Sequence, residues 1–144
     1  MLYKGEKCMQ FIQVFDNSSS LILYREGSSC EFFKGEDAFV SIMDAWQRMT
    51  EDALPMPAYA VSIDKLTRAD MTAGEWVEFV FEGVCVYNEM PFERLLVKAS
   101  KDYCGFNIIR YTSSTGYEGR CFYLQLNEKT MEDFCSEISR VQFK

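Results

Sequence analysis

A chain of 144 residues with 48% apolar and 15% aromatic side chains is too hydrophobic for a disordered protein and long enough for one packed domain, 1–144. Its formal charge of −7 argues against nucleic acid as a partner, since phosphates would be repelled, and the count of 0 histidines leaves acid–base work to carboxylates, lysine, tyrosine or cysteine. No run approaches the roughly 20 apolar residues that span a bilayer, and the opening MLYKGEKCMQFIQ lacks the continuous apolar segment of an export signal. A cytoplasmic protein without a membrane partner is therefore expected.

In chain order, Cys8–Phe15 (CMQFIQVF) is rich in aromatic and β-branched residues and is expected to be a strand. Asp16–Ser20 is a turn cluster, followed by a strand over Leu21–Arg25, a turn at Glu26–Ser29 and a short strand over Cys30–Phe33. A helix is predicted over about 37–53. Phe39, Ile42, Met43, Trp46, Met49 and Ala53 fall on one stripe, Glu36 and Asp37 place negative charge at its start, and Pro55 and Pro57 stop it.

Tyr59–Ile63 reads as a short strand and Asp64–Met71 as a short helix capped by Asp64. In EWVEFVFE, Val77, Phe79 and Phe81 share one face, while Trp76, Glu78, Val80 and Glu82 share the other, the pattern of a half-buried strand. Gly83 marks a turn or bulge before Val84–Tyr87, and Asn88–Pro91 is expected to be a loop. Strands over Arg94–Ala99, Phe106–Tyr111 and Arg120–Leu126 follow, the last two joined by the hairpin segment TSSTGYEG. A second helix is predicted over about 130–141, with Met131, Phe134, Cys135, Ile138 and Val141 on its core stripe.

The expected fold is a single α+β domain. Its sheet is largely antiparallel, with about five to eight strands, and the two main helices pack on one side. Phe11–Phe15 before Ser18–Ser19 parallels Phe106–Arg110 before Ser113–Ser114. This sparse likeness suggests a β-β-β-α pseudo-repeat over 8–53 and 94–141.

The candidate chemistry is limited. Cysteines stand at 8, 30, 85, 104, 121 and 135, none in a Cys-x-x-Cys pair, and Cys85, Cys121 and Cys135 sit inside apolar patterns as small buried hydrophobes. Cys104, in a turn beside Lys101, is the candidate reactive thiol, since a nearby cation lowers a thiol pKa. Glu78 and Glu82 share a strand face, but their backbones are roughly 13 Å apart. Glycosidase carboxyl pairs need about 5–9.5 Å, so charge on the solvent side of the strand is the expectation.

The segment 112–119, bracketed by Arg110 and Arg120, offers hydroxyls, amides and Gly116 for an anion, although it lacks a phosphate-loop pattern. With Tyr117, Trp76, Glu78 and Glu82, these are the candidate binding residues. No metal-ligand spacing or cofactor motif is present.

Charge is placed unevenly. Residues 26–93 hold four basic and fourteen acidic side chains, a balance of −10. The favoured expectation is a small, acidic, non-catalytic binding or regulatory protein that engages a basic protein. The alternative is a small-ligand or enzymatic domain with a pocket beside the sheet near the 110–120 hairpin, and the third reading is a structural or oligomerising domain.

Overall fold

The computed structural model describes residues 10–144. Its helices are α1 (Phe11–Val14), α2 (Asp37–Thr50), α3 (Asp64–Asp70) and α4 (Glu132–Ser139). Its strands are β1 (Ser20–Arg25), β2 (Ser28–Phe33), β3 (Leu54–Pro55), β4 (Val61–Ser62), β5 (Glu75–Tyr87), β6 (Met90–Ala99), β7 (Gly105–Tyr111), β8 (Gly119–Arg120) and β9 (Phe122–Gln125). Seven of them form one sheet in the order β2-β1-β5-β6-β7-β9-β3, and β4 and β8 form a separate two-stranded strip. The sheet is antiparallel throughout, and the chain is a single α+β domain. Among the described residues no helix is long and apolar enough to cross a membrane.

α2 carries the chain from β2, at one edge of the sheet, to β3 at the other. Its stripe is buried as the 3.6-residue period requires, with Phe39, Ile42, Met43, Trp46 and Met49 facing the sheet. It packs beside α4, which buries Phe134 and Ile138 on the same face. Trp46 is the centre of this core. Its ring lies 4.8 Å from Phe15, 4.7 Å from Phe79, 5.7 Å from Phe106 and 5.5 Å from Phe134. Truncating an aromatic ring buried this completely typically costs about 3–5 kcal/mol.

Two expectations need correction. Cys8 and Met9 of the expected first strand lie outside the described residues, but Phe11–Val14 is helical and a 3-10 turn continues to Asn17. Buried Phe11, Val14 and Phe15 are spaced three and four apart, so helical packing outweighs β propensity, and the Gln13 side chain accepts from the Gln10 amide to close the first turn. Asp64 does not cap α3. Ile63 is the N-cap, and the Asp64 carboxylate reaches instead to the amide of Tyr117.

The connections explain how the long strands align. Glu26 (φ 48°) and Gly27 (φ 88°) make the two-residue turn between β1 and β2, and Glu26 is clamped there, its amide donating to the Gly74 carbonyl while its carboxylate accepts from the Gly74 amide. Asn88 (φ 54°) and Glu89 (φ 66°) make the same kind of turn between β5 and β6, tighter than the expected loop. Gly83 sits where the β5–β6 register shifts, as a bulge.

Glu89 is a non-glycine residue in the left-handed region, which costs about 1–2 kcal/mol. Glu89→Gly creates the favoured Asn-Gly turn, and we expect it to raise unfolding stability by about 0.5–1 kcal/mol after the added chain entropy. Urea denaturation checks this, and a loss of stability would contradict the turn assignment.

Candidate functional site

The face of the sheet opposite α2 and α4 carries a second, smaller apolar cluster of Met71, Trp76, Leu96 and Tyr117, with Tyr24, Ile109 and Tyr111 against it. α3 and the 112–119 segment cover it. The cover is pinned by Asp64, whose Oδ1 accepts from the Tyr117 amide at 2.8 Å and whose amide donates to Glu118 Oε1 at 2.8 Å. Gly116 (φ 69°) permits this approach, because a Cβ there would overlap the Asp64 carboxylate.

Beneath that cover lies Glu78, fully buried in the middle of β5. The Tyr24 hydroxyl donates to its Oε1 at 2.6 Å and the Tyr117 hydroxyl to its Oε2 at 2.6 Å, while Arg94 Nη1 stands 3.4 Å from Oε1. Two short phenol donors and a guanidinium are what a buried carboxylate needs to offset its desolvation. Burial, and then the charge of Glu78, push both phenol pKa values well above the usual tyrosine range. Burial opposes the charge on Arg94, but Glu78 and the surrounding phenols outweigh it and hold the guanidinium protonated. Arg94 stacks 5.2 Å from the Tyr111 ring, Arg68 stacks 5.2 Å from the Tyr117 ring, and the two rings are 4.8 Å apart.

Several candidate residues are placed differently from expectation. Glu78 is not on a solvent face. Its side of β5 is roofed by Tyr117, so β5 is buried on both faces at its centre, whereas Glu82 is exposed beyond the roof. The two glutamates therefore form no common surface. Trp76 is buried, donating from Nε1 to the Ala73 carbonyl at 2.9 Å, with Lys98 Nζ 5.7 Å from its ring centre.

Arg110 reaches only the end of the 112–119 segment, where its guanidinium lies against Gly119. Its Nε donates to the Arg120 carbonyl and its Nη1 to the Pro91 carbonyl, each at 2.7 Å. Burial and the neighbouring Arg120 lower its pKa. Arg120 is exposed, with Nη2 3.5 Å from the Ala58 carbonyl. Donors of the segment are already engaged. Gly116 N donates to the Thr112 carbonyl, Ser113 N and Oγ to Glu93 Oε2, and Thr115 N to Thr112 Oγ1. These donors of the candidate anion cradle are thus taken by the chain's own acceptors.

Cys104 is exposed at the start of β7, and its carbonyl accepts from Leu126 N. Burial pushes the thiols of Cys85, Cys121 and Cys135 up, that of Cys135 to about 11 with Glu75 adding to the effect.

The sequence did not single out two features of this side of the molecule. One is the cleft around Arg68 and Arg94, which depends on a roof made by distant segments. The other is an apolar strip. Leu54, Met56, Tyr59, Val61, Ile63 and Leu66 are all exposed within one stretch, Tyr59 to 93% and Val61 to 63%. Val84 and Val86 are exposed on β5. Val61 pairs with Arg120 and Val86 with Pro91, and Arg110 donates to the carbonyls of those two partners, so the strands that carry the exposed residues are linked through backbone acceptors. The signal was available in 54–66, where apolar residues recur without the spacing of a long helix.

The raised phenol pKa values have a definite sign. A phenol whose pKa is raised on folding contributes stability that is fully present below its ordinary value of 10.0 and lost as pH rises toward the folded value. Unfolding stability is expected to hold to about pH 10 and then fall steeply, with a shallower fall in the Tyr24→Phe, Tyr117→Phe double variant. Urea unfolding between pH 7 and 11 measures it, and identical alkaline slopes would contradict the burial of these phenols.

No family model matches the chain, and no curated protein or solved structure is significantly similar to it.

Proposed function

We propose that this is a small, acidic, cytoplasmic and non-catalytic protein that binds a basic protein through the surface formed by residues 59–66 together with Val84 and Val86. The observation that carries the reading is the run of large apolar side chains left exposed over 59–66, with Val84 and Val86 exposed on β5 as well. Large apolar side chains gathered on one surface typically mark an interaction site. The sign of the partner follows from the rim. Among the described residues Asp52, Asp70, Glu82 and Glu89, in or close to these segments along the chain, pair with no cation, while Lys65, Arg110 and Arg120 are the basic groups there without a carboxylate partner. An apolar centre with a rim of one prevailing charge favours a partner of the opposite charge and speeds its encounter.

Two further observations support the non-catalytic and cytoplasmic parts. Both oxygens of the buried carboxylate Glu78 are occupied by phenols, and three thiols are made less nucleophilic by burial. The five described cysteines are free, the state a reducing compartment maintains.

Affinity capture from native lysate of the source organism, with mass spectrometry, tests the proposal. The expected result is one protein rich in lysine and arginine, lost as salt is raised past about 0.5 M. It is also lost when Glu82→Lys and Glu89→Lys reverse the rim, or when Val61→Ser and Ile63→Ser interrupt the strip. Capture indifferent to salt and to these changes would overturn the reading. A homodimer in light scattering that the same serine substitutions abolish would replace it with self-association.

A further inference from the structure

The cleft outside Tyr117 is distinct from that docking surface and has its own chemistry. It has a volume of about 320 Å³ and is lined by Tyr24, Arg68, Met71, Arg94, Tyr111 and Tyr117, with Gly27 and Thr72 at its margin. The two guanidiniums are held in place before any ligand arrives, each against a tyrosine ring. Asp64 engages Arg68 only through Nε, so among the described residues neither terminal nitrogen of Arg68 has an acceptor. Arg94 donates one long bond to Glu78, and its Nε and Nη2 are free among the described residues. The hydroxyl of Tyr111 has no partner there either, in contrast to those of Tyr24 and Tyr117.

We infer that this cleft is a binding site for a small oxyanion carried on a flat apolar body, such as an aryl carboxylate or aryl phosphate. The forked donors of two preorganised arginines match a planar or tetrahedral oxyanion. The Tyr111 and Tyr117 rings and Met71 supply the apolar wall for the body. Glu78 does not oppose the ligand directly, because its oxygens are capped by phenols beneath the cleft floor. The volume stands at the low end of ligand pockets, about 300–1,000 Å³, which selects a body of one ring.

Titration of the protein with benzoate and with phenyl phosphate, followed by backbone amide NMR, tests the site. Acetate and inorganic phosphate serve as probes without the ring. Saturable shifts are expected at Thr72, Tyr111 and Tyr117 with at least one aryl anion, and the arm that saturates first identifies the headgroup. Acetate and inorganic phosphate should bind about tenfold more weakly. Arg68→Gln should weaken the aryl anion by about tenfold or more with the melting temperature little changed, since Arg68 is exposed.

If Arg68→Gln proves unstable, Arg68→Lys keeps the charge but removes the fork, and it should still lose affinity severalfold. Absence of saturation by about 10 mM of either aryl anion, or unchanged affinity in the folded Arg68 variants, would overturn the inference. Equal affinity for benzoate and acetate would overturn the aryl body.

Discussion

A carboxylate in the middle of the central strand is the constraint on which one side of this molecule depends. Glu78 stands between Ile22 of β1 and Leu96 of β6 in the ladder, with no water-facing side. An ionised carboxylate in such a place costs several kcal/mol unless donors replace its hydration. Tyr24 comes from the neighbouring strand, but Tyr117 must be brought from a segment 39 residues away. That requirement holds the 112–119 segment down on the sheet. The fold of this segment over Gly116, its bonds to Asp64 and the position of α3 follow from the same requirement.

The two faces of the sheet are therefore stabilised differently. On one, Trp46 and its neighbouring rings under α2 and α4 make a dry core that depends on area and packing density. On the other, a small apolar cluster is joined to a network of phenols, guanidiniums and one carboxylate. Removing one member of such a network leaves its partners buried and unpaired, so it is less tolerant of substitution than the dry face. The same network leaves the outward edges of Arg68 and Arg94 available.

Much of the first face was legible in the sequence, and little of the second was. The stripe from Phe39 to Met49 and the alternation of Val77, Phe79 and Phe81 are local periods, and both elements fold as those periods predict. Glu78 in the same strand reads as solvent-facing, because a polar residue at alternate positions looks identical whether water or a tyrosine covers it. Only the return of Tyr117 decides, and that is a long-range contact. Phe11, Val14 and Phe15 show the reverse case. Their residue types favour a strand, while their spacing and burial against Trp46 and Phe122 produce a helical turn. Arg110 and Arg120 looked like a pair around a polar segment, yet backbone carbonyls brought close by the sheet occupy the first.

The most direct test of this account is a double-mutant cycle between Glu78→Gln and Tyr117→Phe, read by urea unfolding at neutral pH. If Glu78 organises the second face through the Tyr117 hydroxyl, the two changes share one interaction and will be non-additive, with a coupling energy of about 1.5–3 kcal/mol. Additivity within about 0.5 kcal/mol would contradict it, leaving the roof held by apolar contact alone.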